Sequence, residues 1–354
     1  MMGRRWRWVR GAGWLSAALV VTLSPGCDDG LAPSPPPTLD LVTDVVPVGF
    51  PAGSPIDRAP AENALTEARA QLGKRLFFDP VLSRTGAISC STCHLPERAF
   101  ADPNPVSTGV DDLLGTRNAP ALVNLAWSDT FFWDGRAATL EEQAGKPIEN
   151  PVEMDLPLAD AVDRVAADGD YARAFADAYV GPPSADHLRM AIASFVRTLV
   201  SHNSPYDHHL AGQDDPAFGV AEQRGEALFL DERTGCFHCH PTGLLTNDGF
   251  FNNGSYVDGG DVGRRMVTGR TGDLGKFKVP GLRNVAVSAP YMHDGSLATL
   301  EDVVAQYVRG GRGHPTTDPQ IRPLSLSPDE QADLLSFLRS LTDASFLSDP
   351  RWRP

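Results

Sequence analysis

The chain has 354 residues, 42% of them hydrophobic and 21% charged, which argues against wholesale disorder and is enough for two domains of ordinary size. Its formal net charge of −14 suits no phosphate backbone, so a nucleic-acid partner is not expected, while basic protein partners are permitted. Glycine and proline together make up about 18% of the residues, against roughly 12% in average usage, and predict long loops and short helices around something other than an aliphatic core.

In chain order, residues 1–27 read as an export signal. Arg4, Arg5, Arg7 and Arg10 form a charged head, and 13–23 form an apolar run too short to span a bilayer. Leu23-Ser-Pro-Gly-Cys27 resembles the lipobox of bacterial lipoproteins, although the leucine stands one position further out than usual and Pro25 is atypical. A periplasmic, exported chain with a lipid anchor on Cys27 is therefore expected. Residues 28–59, with Pro33, Pro35, Pro36 and Pro37, read as an extended linker, and folded material is expected from about Pro60.

The other four cysteines fall into two identical patterns, Cys90-Ser-Thr-Cys93-His94 and Cys236-Phe-His-Cys239-His240. C-x-x-C-H is the attachment signature of c-type haem: two thiols reach the two vinyl groups of one porphyrin, and the adjacent histidine lies beneath the iron. A zinc site would need four ligands close together, whereas these pairs stand 146 positions apart. Two covalently bound c-type haems are expected, with His94 and His240 as proximal ligands. Each motif follows a short helical pattern, at 72–79 and 224–231, with leucine and phenylalanine on one face.

An internal repeat follows each motif. Residues 120–141 align without a gap on 280–301, and 11 of the 22 positions are identical, including Asp134-Gly135 with Asp294-Gly295 and both Ala-Thr-Leu-Glu runs. The copies differ where Trp133 stands opposite His293; beyond them come Gln143, Pro147 and Glu153 in the first half and Tyr307 in the second. The two haems should therefore have different distal sides. His187, His202, His208, His209, His238 and His314 lack companions at metal-ligand spacing.

With Leu-Gly-x-x-Leu-Phe-Phe-Asp at 72–79, Arg-Asn-x-Pro at 117–120, Phe-Trp-Asp-Gly-Arg at 132–136, Pro-Tyr-Met-His-Asp-Gly at 290–295 and both haem motifs, the chain resembles the bacterial di-haem cytochrome c peroxidase/MauG family. The resemblance spans about 72–341. It implies a mainly α fold of two duplicated cytochrome c-like domains, a peroxidatic one at 60–205 and an electron-transfer one at 206–345, followed by a tail at 346–354. It makes Trp133 the inter-haem electron carrier, and Gln143 and Glu153, ten and twenty residues further on, the peroxide pocket of the first haem. A carboxylate there can move a proton between peroxide oxygens as general acid–base, and an amide can hold the substrate.

Two departures from the simple peroxidases set the expected subgroup. Those enzymes place a second histidine on the resting first haem, but no histidine occurs at 95–186, so that iron should be open. Where they carry a methionine ligand to the second haem, fourteen residues after the His-Asp-Gly histidine, Tyr307 stands here, as in MauG. A phenolate is a hard anionic donor that favours the higher oxidation states of iron. Met292 and, less favoured, Met266 are the alternative ligands, and His293 is expected to orient the second haem or its propionates. The resemblance further implies Ca²⁺ held by Asn118 and the carbonyls of Ser288 and Pro290.

The Ala-Trp-Ser-Asp-Thr-Phe-Phe-Trp run at 126–133, Asn-Ser-Pro-Tyr-Asp at 203–207 and the closing run at 341–350 look most like the MbnH branch, whose members use peroxide to oxidise a tryptophan of a partner protein. The expected function is an H₂O₂-dependent oxidase drawing electrons from a partner protein through the second haem. The alternatives are a cytochrome c peroxidase fed by a small cytochrome or cupredoxin, and a di-haem electron-transfer protein without substrate chemistry.

Overall fold

The computed structural model describes residues 40–354; the export signal, Cys27 and the clustered prolines of the linker lie outside the described residues. The fold is mainly helical, built on eight helices of ten or more residues: α1 Glu67–Phe78, α2 Leu140–Glu149, α3 Leu158–Ala167, α4 Gly169–Ala178, α5 Ala185–Arg197, α6 Val220–Phe229, α7 Leu300–Arg309 and α8 Pro328–Ser340. The only sheet among the described residues pairs β1, Phe250–Phe251, antiparallel with β2, Phe277–Lys278.

The helices follow from local chemistry. Helix α1 starts at Thr66, whose hydroxyl accepts from Arg69 N, and it buries Leu72, Leu76 and Phe77 on one face. Helix α5 packs across it so closely that a Cβ on Gly73 would collide with the Ala191 carbonyl. In the second half α6 crosses α8 the same way, with Gly225 against the Asp333 carbonyl. Glycine in mid-helix costs about 1 kcal/mol of propensity, and here it permits backbone-to-backbone approach.

The sequence repeat is also a structural one. Asn124 and Asn284 both sit in the left-handed region at φ +60°, each opening a short 3₁₀ turn, 125–127 and 285–287. Both copies then reach a threonine N-cap, Thr139 for α2 and Thr299 for α7, whose hydroxyls accept from Glu142 N and Asp302 N.

Two large hydrophobic clusters result. One gathers Phe77, Phe100, Tyr171, Phe175 and Phe195, the other Tyr206, Phe229, Leu300, Phe337 and Leu341. Between them, Ser201–Asn203 is fixed by Asp343, whose Oδ2 accepts from Ser201 Oγ (3.1 Å), His202 N (3.0 Å) and Asn203 N (2.9 Å). Both repeat asparagines also reach Ser201: Asn124 bonds its backbone carbonyl and amide, and Asn284 donates to its hydroxyl.

Packing starts earlier and ends later than expected. Leu41, in the stretch expected as linker, is fully buried; its N–H donates to the Glu67 carboxylate, and Phe50 meets Trp127 edge-on at 5.0 Å. The acidic first turn of α1 captures backbone that the proline-rich composition assigns to a spacer. In the expected tail, Phe346 and Trp352 pack into the first cluster. No helix among the described residues is long and apolar enough to cross a membrane.

Candidate functional site

Cys90–Cys93 form a single helical turn held by a reciprocal cap between Ser89 and Thr92, so both thiols share one face. His94 follows, and its Nδ1–H donates to the Phe100 carbonyl at 2.6 Å. The second motif repeats this: Cys236–His238 form a 3₁₀ turn, and His240 Nδ1–H donates to the Leu245 carbonyl at 2.8 Å. Each bond fixes the tautomer that leaves Nε2 as the free metal-binding nitrogen. Burial lowers the pKa of both imidazoles, His240 to about 4, so both are neutral donors.

All four cysteines are free, and burial raises their thiols, Cys90 to about 12 and both Cys93 and Cys239 to about 11. Among the described residues no group of three or more His, Cys, Asp or Glu is placed to hold a metal ion. Both motifs instead line one largely apolar cavity of about 1230 Å³, walled by Phe77, Leu122 and Val196 in the first half and by Phe229, Val285 and Leu334 in the second. Two thiols and one free imidazole nitrogen per site, opening into an apolar cavity of this size, fit two haems.

On the first-motif side Gln143, Asn150, Glu153 and Arg136 line the cavity. Glu153 Oε1 accepts from Asn150 Nδ2 at 2.6 Å, while Asn150 Oδ1 accepts from Val152 N at 3.2 Å. Burial pushes the Glu153 carboxyl above its ordinary pKa, against the opposing pull of the Asn150 bond and the Arg136 charge. The cavity's histidines are His94, His240 and His293. His187 lies elsewhere, stacked on Tyr179 at 4.5 Å.

Trp133 lines the cavity and is locked at both ends: its indole N–H donates to the Asn118 carbonyl at 2.8 Å, and its own carbonyl accepts from Lys278 N at 2.7 Å. Asn118 is buried, donates from its backbone to the His293 carbonyl at 2.8 Å and from Nδ2 to the Asn104 carbonyl at 2.8 Å. Ser288 and Pro290 line the same cavity. His293, the repeat counterpart of Trp133, stacks on Phe277 at 3.6 Å. Arg117 bonds both Asp134 (2.6 Å) and Asp261 (2.5 and 2.9 Å), tying the first half to the second.

On the second-motif side, Tyr307 and Met292 are brought together by one side chain that the sequence does not single out. Asn253 Nδ2 donates to the Tyr307 hydroxyl at 3.4 Å and lies 3.2 Å from Met292 Sδ. Burial raises the Tyr307 phenol to about 12. Met266 instead stands at the rim, 73% exposed. Asn150 and Asn253 are the residues sequence reasoning missed; only the place of Asn150 in Glu149-Asn-Pro-Val-Glu153, three before the glutamate, offered a signal.

Residues 67–215 match the family model described as di-haem cytochrome c peroxidase. Over 286 residues, 80% of each protein, the chain is 40% identical to the methylamine utilization protein MauG of Methylorubrum extorquens. The chain belongs to the di-haem cytochrome c peroxidase/MauG family. It is also 36% identical over 288 residues to cytochrome c551 peroxidase of Pseudomonas aeruginosa, covering 78% of this chain and 80% of that protein. Its fold superposes on the crystal structure of a MauG-like protein associated with microbial copper homeostasis, with a TM-score of 0.80 and 37% identity, covering 87% of this chain and 97% of that one. Membership makes it a haem-dependent oxidoreductase with two haem cofactors and a mainly helical, two-part cytochrome c-like fold.

Proposed function

We propose that the protein is an exported, periplasmic di-haem oxidase, lipid-anchored through Cys27, that uses H₂O₂ at the first haem to draw electrons from a partner protein through the second, ending in oxidation of a partner tryptophan. The observation that carries this reading is the distal side of the first motif: Glu153, Gln143 and Asn150 face the cavity there, and the other histidines lining it are His240 of the second motif and His293 of the second repeat copy. On this reading 60–205 is the peroxidatic domain and 206–345 the electron-transfer domain.

Cys90 and Cys93 would hold one haem covalently with His94 as its ligand; Cys236 and Cys239 would hold the other, with His240 and Tyr307 as the residues that would ligate it. The bound haems supply redox-active iron for peroxide reduction and storage of oxidising equivalents. The chain supplies the rest. Glu153, with its raised pKa and one oxygen pinned by Asn150, can take a proton from peroxide and return it to the departing oxygen. Gln143 offers an amide to position the substrate. Trp133, locked between the halves, bridges the two sides of the cavity. Asn118 Oδ1, engaged by no hydrogen bond among the described residues, and the carbonyls of Ser288 and Pro290, which line the same cavity, would hold Ca²⁺.

A titration of the diferric protein with one equivalent of H₂O₂ and no reductant, followed by optical and Mössbauer spectroscopy, tests this. Both irons should leave the ferric state together, and Tyr307→Phe should abolish the response while Met292→Leu preserves it. Reaction only after one haem is reduced, with sensitivity to Met292→Leu instead, would make the protein a conventional cytochrome c peroxidase; the position of Met292 beside Asn253 supports that second reading.

A further inference from the structure

We propose that the surface around the second half's side of the cavity is a docking face for an acidic protein segment carrying one large apolar side chain. This rests on the reading above, in which electrons come from a partner protein through the second haem.

Charge is the first observation. Segments 262–283 and 303–327 hold nine of the chain's 31 basic residues and only two of its 45 acidic ones, within a protein of net charge −14. Five of the nine are engaged internally: Arg264 donates to the Asp134 and Gly135 carbonyls, Arg322 to the Glu232 carbonyl, and Lys276, Lys278 and Arg283 pair with Asp273, Asp248 and Asp207. Among the described residues Arg265, Arg270, Arg309 and Arg312 make neither an ion pair nor a side-chain hydrogen bond, and the last three are exposed. Of the neighbouring carboxylates, Asp261 pairs with Arg117 and Asp273 with Lys276, while Asp258, bonded to His314, and Asp318, bonded to the Gln320 amide, keep their charge and are outnumbered by the arginines. A net positive field is left at the surface.

The second observation is apolar. Met266, 73% exposed, lies between Arg265 and Val267 and also lines the cavity; Val267 and Val257 are 43% and 44% exposed. The thioether thus stands where the outer surface turns into the cavity wall, and a flexible methionine adapts to an incoming side chain. The two segments meet at Tyr256, whose ring touches His314 edge-on at 4.8 Å and lies against Gly275, and Arg312 N donates to the Gly254 carbonyl two residues before Tyr256. Unpaired arginines around a small apolar spot steer an acidic partner and fix its orientation. The large hydrophobic residues exposed among the described residues include no aromatic, which disfavours a membrane as the occupant.

Fluorescence anisotropy on the full-length, haem-loaded protein tests this with two labelled synthetic peptides, each with a central tryptophan, one rich in Asp and Glu and one in Lys. The acidic peptide should bind, weaken at least about tenfold with Arg265→Glu, Arg270→Glu and Arg312→Glu combined, and weaken with added salt; Met266→Ala should weaken it without changing the salt slope. An unchanged melting temperature and haem spectrum keep the charge-reversed variant interpretable, and the salt dependence of the unaltered protein serves if that variant does not fold. Equal binding to the variant, or preference for the basic peptide, overturns the proposal. So do equally patch-dependent binding to phosphatidylglycerol vesicles and salt-sensitive self-association abolished by the same substitutions, which would identify a membrane or a second copy as the occupant. The peroxide titration needs no partner, so patch-dependent peptide binding with a failed titration would sink the oxidase reading alone.

Discussion

At the scale of single residues, the two C-x-x-C-H motifs are legible in the sequence because the covalent chemistry proposed for them dictates such a spacing. Glu153 is legible only through its distance from Trp133, and Asn150 and Asn253 hardly at all, because an amide's partner is chosen by the fold. Glu153→Gln should lower the rate of the peroxide reaction by about 100-fold or more, measured by stopped-flow absorbance. The same change should raise the melting temperature at pH 7. A carboxyl whose folded pKa is raised contributes stability that is present below its unfolded value of about 4.3 and lost as pH rises through the folded pKa, so the ionised Glu153 is a liability at neutral pH. Asn150→Ala removes the donor that favours the charged form. The acid limb of the pH–rate profile should then move to higher pH, whereas a purely structural role for Asn150 would lower the rate equally at all pH values.

At the scale of elements, the repeat at 120–141 and 280–301 carries over from sequence to structure down to the left-handed asparagines and threonine caps. The helix crossings were not legible. Nothing in the sequence marks Gly73 or Gly225 as a crossing point, and only the packed structure shows another backbone against each. Gly73→Ala and Gly225→Ala should each destabilise the protein by about 1–3 kcal/mol or more, because the obstructing atoms are carbonyls that cannot swing away. Urea unfolding would measure this, and a gain in stability from improved helix propensity would show that the crossings are slack.

At the scale of the molecule, the halves are also joined by a small polar hub built from Asp343 of the run at 341–350, Asn203 of the run at 203–207 and the two repeat asparagines. Burial pushes the Asp343 carboxyl up, but hydrogen bonds from Ser345, Phe346 N, Asn203 N and Ser201 outweigh it and hold the pKa below its ordinary value. A depressed carboxylate contributes stability that is present above its unfolded pKa of about 3.9 and lost as pH falls through the folded value. Asp343→Ala strands the Ser201 hydroxyl and the His202, Asn203 and Phe346 amides. It should cost more than about 2 kcal/mol at pH 7 and progressively less as pH falls below about 3.9, read from urea midpoints across that range.

The burial of Phe346 and Trp352 in the first half's core also bears on how the protein is made. A ribosome working at about 5–20 residues per second needs roughly 8–30 s to get from the end of α5 to Trp352. At the start of that interval the first half lacks Phe346 and Trp352, and also Val287 and Leu347, which pack against the same core. That half, which carries Cys90 and Cys93, closes fully only after Phe346 and Trp352 have been added.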